Sequence, residues 1–123
     1  WQKIADEAAK QCGRRMLMRV APIVSLTELL RDPAYIDAAD TATVFCYEQE
    51  ERQSMRTVLR GTEARRVTLI VGAEGGFSPA EAAALTAAGG QSVSLGHRIL
   101  RAETASLTAL AVTQYEMGNL GIL

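Results

Sequence analysis

The chain of 123 residues has a formal net charge of −1 and is 48% hydrophobic, which suits a single domain with a buried core. A net charge this close to zero gives no electrostatic sign of a nucleic-acid binder, and no run of about 18 continuous apolar residues is present to span a membrane. Cys12 and Cys46 lie in apolar patterns without a CxxC pair, which predicts reduced thiols in a cytoplasmic protein.

Hydrophobic spacing and turn residues predict the elements of the first half of the chain. Apolar residues at helical spacing, followed by Gly13, indicate an opening helix. Ser25 and Glu28 have the spacing of a capping box, which starts a brief helix, and Pro33 ends it. A β-branched and aromatic run then indicates a strand. The predicted elements are a helix over 4–12, a short strand within 14–24, a helix over 25–32 and a strand over 41–47.

The second half alternates helices and strands more regularly. Ser78 and Glu81 form a second capping box, and Pro79 occupies the first helical position. The predicted elements are a helix over 52–60, a buried strand over 67–71, a helix over 79–88, a short strand over 92–95 and a final helix over 103–117. Strands that alternate with helices indicate an α/β fold with a parallel sheet.

Two strand–loop–helix junctions carry the functional signal. The first loop reads Gly72-Ala-Glu-Gly-Gly-Phe77, and the second reads Leu95-Gly-His-Arg-Ile-Leu-Arg-Ala-Glu-Thr-Ala105. Loops at the carboxyl ends of strands are where open α/β sheets bind small molecules, so we expect one ligand between the two loops. The glycine spacing matches neither the GxGxxG nor the Walker A pattern. The alternative is a pair of tight turns that bind nothing.

In this order and spacing, the two loops resemble the signature loops of the ribosomal RNA small subunit methyltransferase E family. The similarity also covers Trp1-Gln-Lys-Ile4 and Gly118-Asn119-Leu120. The resemblance implies a SPOUT-type parallel sheet flanked by helices, with a C-terminal trefoil knot that local pattern cannot reveal. It implies that residues 1–123 are part of an S-adenosylmethionine-dependent methyltransferase domain. The family's N-terminal RNA-binding β-barrel domain and the first part of its catalytic domain are expected to be absent from this chain.

The activity implied by the resemblance is methyl transfer from S-adenosylmethionine to N3 of a uridine in 16S ribosomal RNA, free or in the 30S subunit. It also implies a homodimer, packed partly through the last helix, which is apolar around much of its circumference. No cluster has metal-ligand spacing, so no metal is expected. Two alternatives stay open: a SPOUT ribose 2′-O-methyltransferase acting on rRNA or tRNA, and a non-catalytic dimerisation or RNA-docking fragment.

The resemblance also implies roles for individual loop residues. Arg101 is the catalytic candidate that could hold a positive charge against the uracil oxygens, although an ion pair with Glu74 or Glu103 would also explain it. Glu74 and Glu103 are the candidate general bases, and Glu74 could instead only order its loop. The expected cofactor-binding residues are Gly72, Ala73, Glu74, Gly75, Leu95, Gly96, Ile99, Leu100, Arg101, Thr104 and Ala105.

Overall fold

The computed structural model describes residues 1–13, 16–36, 39–96 and 100–118. Its strands are β1 (Thr41–Cys46), β2 (Arg66–Val71) and β3 (Gln91–Val93). Its helices are α1 (Gln2–Gln11), α2 (Leu26–Leu30), α3 (Met55–Gly61), α4 (Pro79–Ala87) and α5 (Ala102–Glu116). The strands form one parallel sheet in the order β2-β1-β3, which confirms the α/β fold with a parallel sheet flanked by helices.

The middle strand, β1, is buried on both faces. It pairs with β2 from Thr41↔Arg66 to Cys46↔Val71, and with β3 from Val44↔Gln91 to Cys46↔Val93. Successive side chains of a strand point to opposite faces, so its two fully buried residues belong to different cores. Val44 packs with residues of α3, β3 and α5, whereas Phe45 packs against Ala82 and Leu85 of α4.

The short strand predicted within 14–24 is wrong for the described part of that segment. Residues 16–24 are extended but pair with no strand, and all are exposed. The side-chain amide of Gln2 takes the place of a strand neighbour: its Nε2 donates to the Met18 carbonyl at 2.6 Å, and its Oε1 accepts from the Val20 N–H at 2.7 Å. One side chain therefore satisfies two of the backbone groups that a sheet would pair.

Helix α3 begins at Met55, three residues later than the sequence predicts. The Oγ of Ser54 accepts from the Thr57 N–H at 3.1 Å and so caps the helix. The residues before Met55 do not join the helix, because the Gln53 carbonyl accepts a hydrogen bond from the Ser94 N–H at 2.8 Å beside β3. The predicted start at Arg52 failed because this pairing partner is 41 residues away along the chain (94 − 53).

The capping box of α4 is confirmed. The Ser78 Oγ accepts from the Glu81 N–H at 3.1 Å, and the Glu81 carboxylate accepts from the Ser78 N–H at 2.8 Å. The trefoil knot stays a prediction, since the described residues do not show a helix threaded through a closed loop. None of the described helices is both long and apolar enough to cross a lipid bilayer.

The turn between α4 and β3 leaves no room for a side chain at Gly90. A Cβ there would lie 2.8 Å from the Leu85 carbonyl oxygen and 3.2 Å from Cδ1 of Phe45. We expect Gly90→Ala to lower the free energy of unfolding by about 1–3 kcal/mol, as overpacking of a core does. Gly61→Ala is the control, because a Cβ at Gly61 meets no atom within 4 Å. Urea unfolding of both variants measures the difference, and equal midpoints would contradict the packing described.

Candidate functional site

A cleft lies at the carboxyl edge of the sheet, where all three strands end. The middle strand contributes Cys46 and the two residues that follow it, and the loop after β2 contributes the stretch from Gly72 to Glu74. The loop after β3 and the start of α5 close the other side. The enclosed volume is about 90 Å³. Pockets for drug-sized ligands measure roughly 300–1,000 Å³, so this cleft has room for only part of a ligand of that size.

The loop after β2 is a tight turn held at both ends. The Gly76 N–H donates to the Ala73 carbonyl at 2.8 Å, and Gly76 has a φ of +69°, which L side chains rarely adopt. Phe77 anchors the far end of the loop, because its ring meets Phe45 edge-on at a centroid distance of 5.9 Å. A Cβ on Gly72 would stand 3.2 Å from the Gly76 carbonyl carbon, so the two glycines lie close together. The turn therefore contributes two glycines to the cleft, beside Ala73 and Glu74.

The loop after β3 is fixed by a serine. The Ser94 Oγ accepts from the Gly96 N–H at 3.0 Å and lies 3.0 Å from the Gly96 carbonyl oxygen. Gly96 has a φ of +120°, which again favours glycine. Ser94 also pairs with Ser54 and donates its N–H to Gln53, so the loop is tied to the segment that precedes α3. These bonds hold Leu95 and Gly96 against the cleft.

The chemistry of the described lining is apolar with two carboxylates. Val71, Val93 and Leu95 form the apolar part, and Glu48 and Glu74 are the charged residues. Burial raises the pKa of the Cys46 thiol to about 11, so this lining residue stays a neutral thiol at physiological pH. Among the described residues, no group of three or more His, Cys, Asp or Glu is placed to hold a metal ion.

The cleft brings together many of the residues expected to bind a cofactor. Those in its lining are Gly72, Ala73, Glu74, Leu95, Gly96, Leu100 and Ala105. Gly75, Arg101 and Thr104 are exposed and lie outside the lining, and Ile99 lies outside the described residues. Their roles stay predictions, as does the role of every lining residue.

Arg101 and Glu103, two of the candidate catalytic residues, occupy the start of α5. Arg101 is the N-cap residue, its carbonyl accepts from the Ala105 N–H at 2.7 Å, and its side chain is exposed. Its neighbours Leu100 and Ala102 both line the cleft, which places Arg101 at the rim. The ion pairs of the described residues join Arg60 to Glu116 and Arg65 to Asp40, so Arg101 pairs with neither Glu74 nor Glu103 there.

Sequence reasoning missed the contribution of the middle strand. Cys46, Tyr47 and Glu48 line the cleft, although no motif marks them. The signal was available in part, because a strand was predicted over residues 41–47. Only the order β2-β1-β3 places the end of that strand between the two loops, and strand order does not follow from local pattern.

The comparisons with known proteins agree with this architecture. The profile of the RNA methyltransferase domain family matches residues 1–114. "Ribosomal RNA small subunit methyltransferase E" of Bacillus subtilis is 37% identical over 117 residues, which cover 94% of this chain and 46% of the relative. The protein of the same name from Synechocystis is 34% identical over 112 residues, covering 90% of this chain and 36% of the relative.

A solved structure has the same fold. The ribosomal RNA small subunit methyltransferase E of Neisseria gonorrhoeae, crystallised with S-adenosyl methionine, superposes with a TM-score of 0.79 and 31% identity. The match covers 94% of this chain and 46% of that one. The chain thus spans about half the length, or less, of the curated relatives it matches. Because the family profile covers nearly all of its residues, the chain belongs to the RNA methyltransferase domain family.

Proposed function

We propose that the chain binds S-adenosylmethionine in the cleft and that its domain, as part of a cytoplasmic enzyme, methylates N3 of a uridine in 16S ribosomal RNA. The observation that carries the proposal is that both glycine loops and the start of α5 line one cleft. Relatives at 34–37% identity bear the name ribosomal RNA small subunit methyltransferase E, and the Neisseria gonorrhoeae structure holds S-adenosyl methionine.

The lining suits such a cofactor. The half-buried apolar side chains of Val71 and Leu95 can cover the faces of an adenine ring, while loop backbone groups read its edge. Residues 73–75 are exposed, so the part of the ligand that projects from the mouth could lie beside them. When bound, the cofactor would supply an electrophilic methyl group on a sulfonium, so the protein mainly has to align the acceptor with it.

Residues at the rim are suited to the acceptor base. Uracil N3 carries a proton at neutral pH, and its removal leaves negative charge on the ring oxygens. The exposed guanidinium of Arg101 can stabilise that charge with a planar set of donors. Glu74, which lines the cleft, and Glu103, in the first turn of α5, remain the candidates for the base that takes the proton.

The activity is tested by titrating S-adenosylmethionine calorimetrically and measuring transfer of a labelled methyl group to 16S rRNA and to 30S subunits. Mapping the product separates N3 methylation from ribose 2′-O-methylation. Binding without transfer would favour a docking module over an enzyme, and the absence of binding would overturn the proposal.

Arg101→Ala should lower the methylation rate on the order of 100-fold or more while it leaves cofactor affinity nearly unchanged, since it removes one electrostatic donor to the reacting base. Arg101→Lys should restore activity only in part, because an ammonium lacks the planar fork. Melting curves serve as the control. A variant that methylates at the normal rate, or that fails only because it unfolds, would show that Arg101 has no catalytic role.

Two glycine variants test the turn. Gly76→Ala forces an L residue to adopt a φ of +69° and should weaken cofactor binding, because the turn must change to relieve the strain. Gly61→Ala should bind nearly normally, since Gly61 lies outside the cleft lining and a Cβ there meets no atom within 4 Å. Calorimetric titration measures the affinity of both variants for the cofactor. Equal affinities would mean that the conformation of Gly76 does not shape the site.

The chain is further proposed to form a homodimer through the outer face of α5. Leu107, Leu110 and Tyr115 are 71%, 52% and 64% exposed, whereas Ala109 and Thr113 on the opposite side are buried. Because these three side chains are exposed, the described part of the chain does not enclose α5 on all sides. An apolar outer face flanked by polar surface is typical of an interface, and two copies of α5 would cover each other's exposed leucines.

Light scattering at micromolar concentration should give twice the monomer mass of 13.2 kDa. Leu107→Asp combined with Leu110→Asp should give the monomer, because it places charges in the interface. Ile23→Asp is the control, since Ile23 is 99% exposed and lies outside α5. A wild-type chain that is strictly monomeric would contradict the assembly.

A further inference from the structure

We propose that Glu48 makes the cleft prefer a positively charged sulfonium cofactor over the uncharged thioether product left after methyl transfer. The inference rests on the proposed function and assigns a specificity role to a residue that no sequence motif marks. Glu48 lies two residues after the end of β1 and lines the cleft between the two glycine loops.

The carboxylate of Glu48 faces the glycine turn directly. A Cβ on Gly76 would stand 3.6 Å from Cδ of Glu48, 3.7 Å from its Oε1 and 3.8 Å from its Oε2. Because Gly76 has no side chain, nothing from that residue separates the carboxylate from the cleft. A second reason for glycine at this position is therefore that it leaves the carboxylate open to a ligand.

Glu48 has no partner among the residues that the structure describes. The ion pairs there involve Glu116 and Asp40, and the hydrogen bonds of the described residues do not include the Glu48 carboxylate. Its neighbour Glu50 is different, because the Glu50 Oε2 accepts from the Arg52 N–H at 2.8 Å. This hydrogen bond is the main reason that the pKa of Glu50 is lowered. Glu50 therefore orders the segment before α3, whereas the Glu48 carboxylate forms no hydrogen bond or ion pair with the described residues.

The described lining of the cleft is negatively charged. It contains Glu48 and Glu74 and no Lys, Arg or His. S-adenosylmethionine carries a sulfonium, an ammonium and a carboxylate, for a net charge of +1. On transfer, the electron pair of the deprotonated N3 forms the new C–N bond and the C–S electron pair returns to sulfur, so the product has a neutral thioether and no net charge. The attraction to the lining falls when the reaction is complete, which favours release of the product.

The test compares three ligands on the wild-type chain and on Glu48→Gln. They are S-adenosylmethionine, S-adenosylhomocysteine, and a non-reactive analogue with an ammonium in place of the sulfonium. The variant should bind the two cations about fivefold to tenfold more weakly and the neutral product less than twofold more weakly, as expected for one charge pair partly shielded by water. The preference should also shrink as salt concentration rises.

Glu51→Gln is the matched control, because it removes the same charge from an exposed residue outside the cleft lining. It should leave the ratio of the affinities for the cation and the product unchanged. Parallel weakening of all three ligands by Glu48→Gln, or no weakening, would overturn the role of Glu48 and leave the proposed function standing. A folded wild-type chain that binds none of the three ligands would overturn the proposed function, and this inference with it.

Discussion

The fold depends on one strand, β1, which is hydrogen-bonded along both of its edges. Its register with β2 runs over six residue pairs and its register with β3 over three. Val44 and Phe45 are fully buried on opposite faces, Val44 in the core that includes α3 and α5 and Phe45 in the core that includes α4. Because all three strands are parallel, their carboxyl ends meet at one edge. The cleft is a direct consequence of this pairing.

The two loops of the cleft combine permissive backbone with fixed ends. Gly76 and Gly96 adopt positive φ values that other residues rarely tolerate. The packing of Phe77 on Phe45 and the bonds of Ser94 to the segment before α3 hold the loops where the glycines are needed. In the folded chain, the flexible glycine backbone is thus limited to short turns, because packing and hydrogen bonds hold the residues on either side. This arrangement exposes main chain to a ligand without loss of a defined shape.

The charges around the cleft differ in sign with position, which the net charge of −1 does not reveal. The described lining of the cleft is acidic, whereas Arg101 stands at its rim. Under the proposed function a cationic cofactor and an anionic nucleic acid need opposite surroundings, and a cleft with two carboxylates in its lining and a basic residue at its rim would serve both. Helix α5 joins this site to the proposed interface, since its first turn lines the cleft and its outer face is apolar.

Local sequence pattern was sufficient to predict the elements whose causes are local. The capping box at Ser78 and the strand ending at Val71 are set by residues within a few positions of one another, and the structure has both, although that strand is half-buried and not buried as predicted. The first of the two loops could also be singled out, because a strand that ends in glycines before a capped helix is a local signal. Features that depend on contacts between residues far apart in the sequence could be read only from the tertiary structure. The order of the strands, the delayed start of α3 and the unpaired segment 16–24 are fixed by contacts between residues far apart along the chain. The position of Glu48 in the site has the same cause. It lies between the two loops because β1 pairs on both sides, and no local pattern encodes which strand lies in the middle.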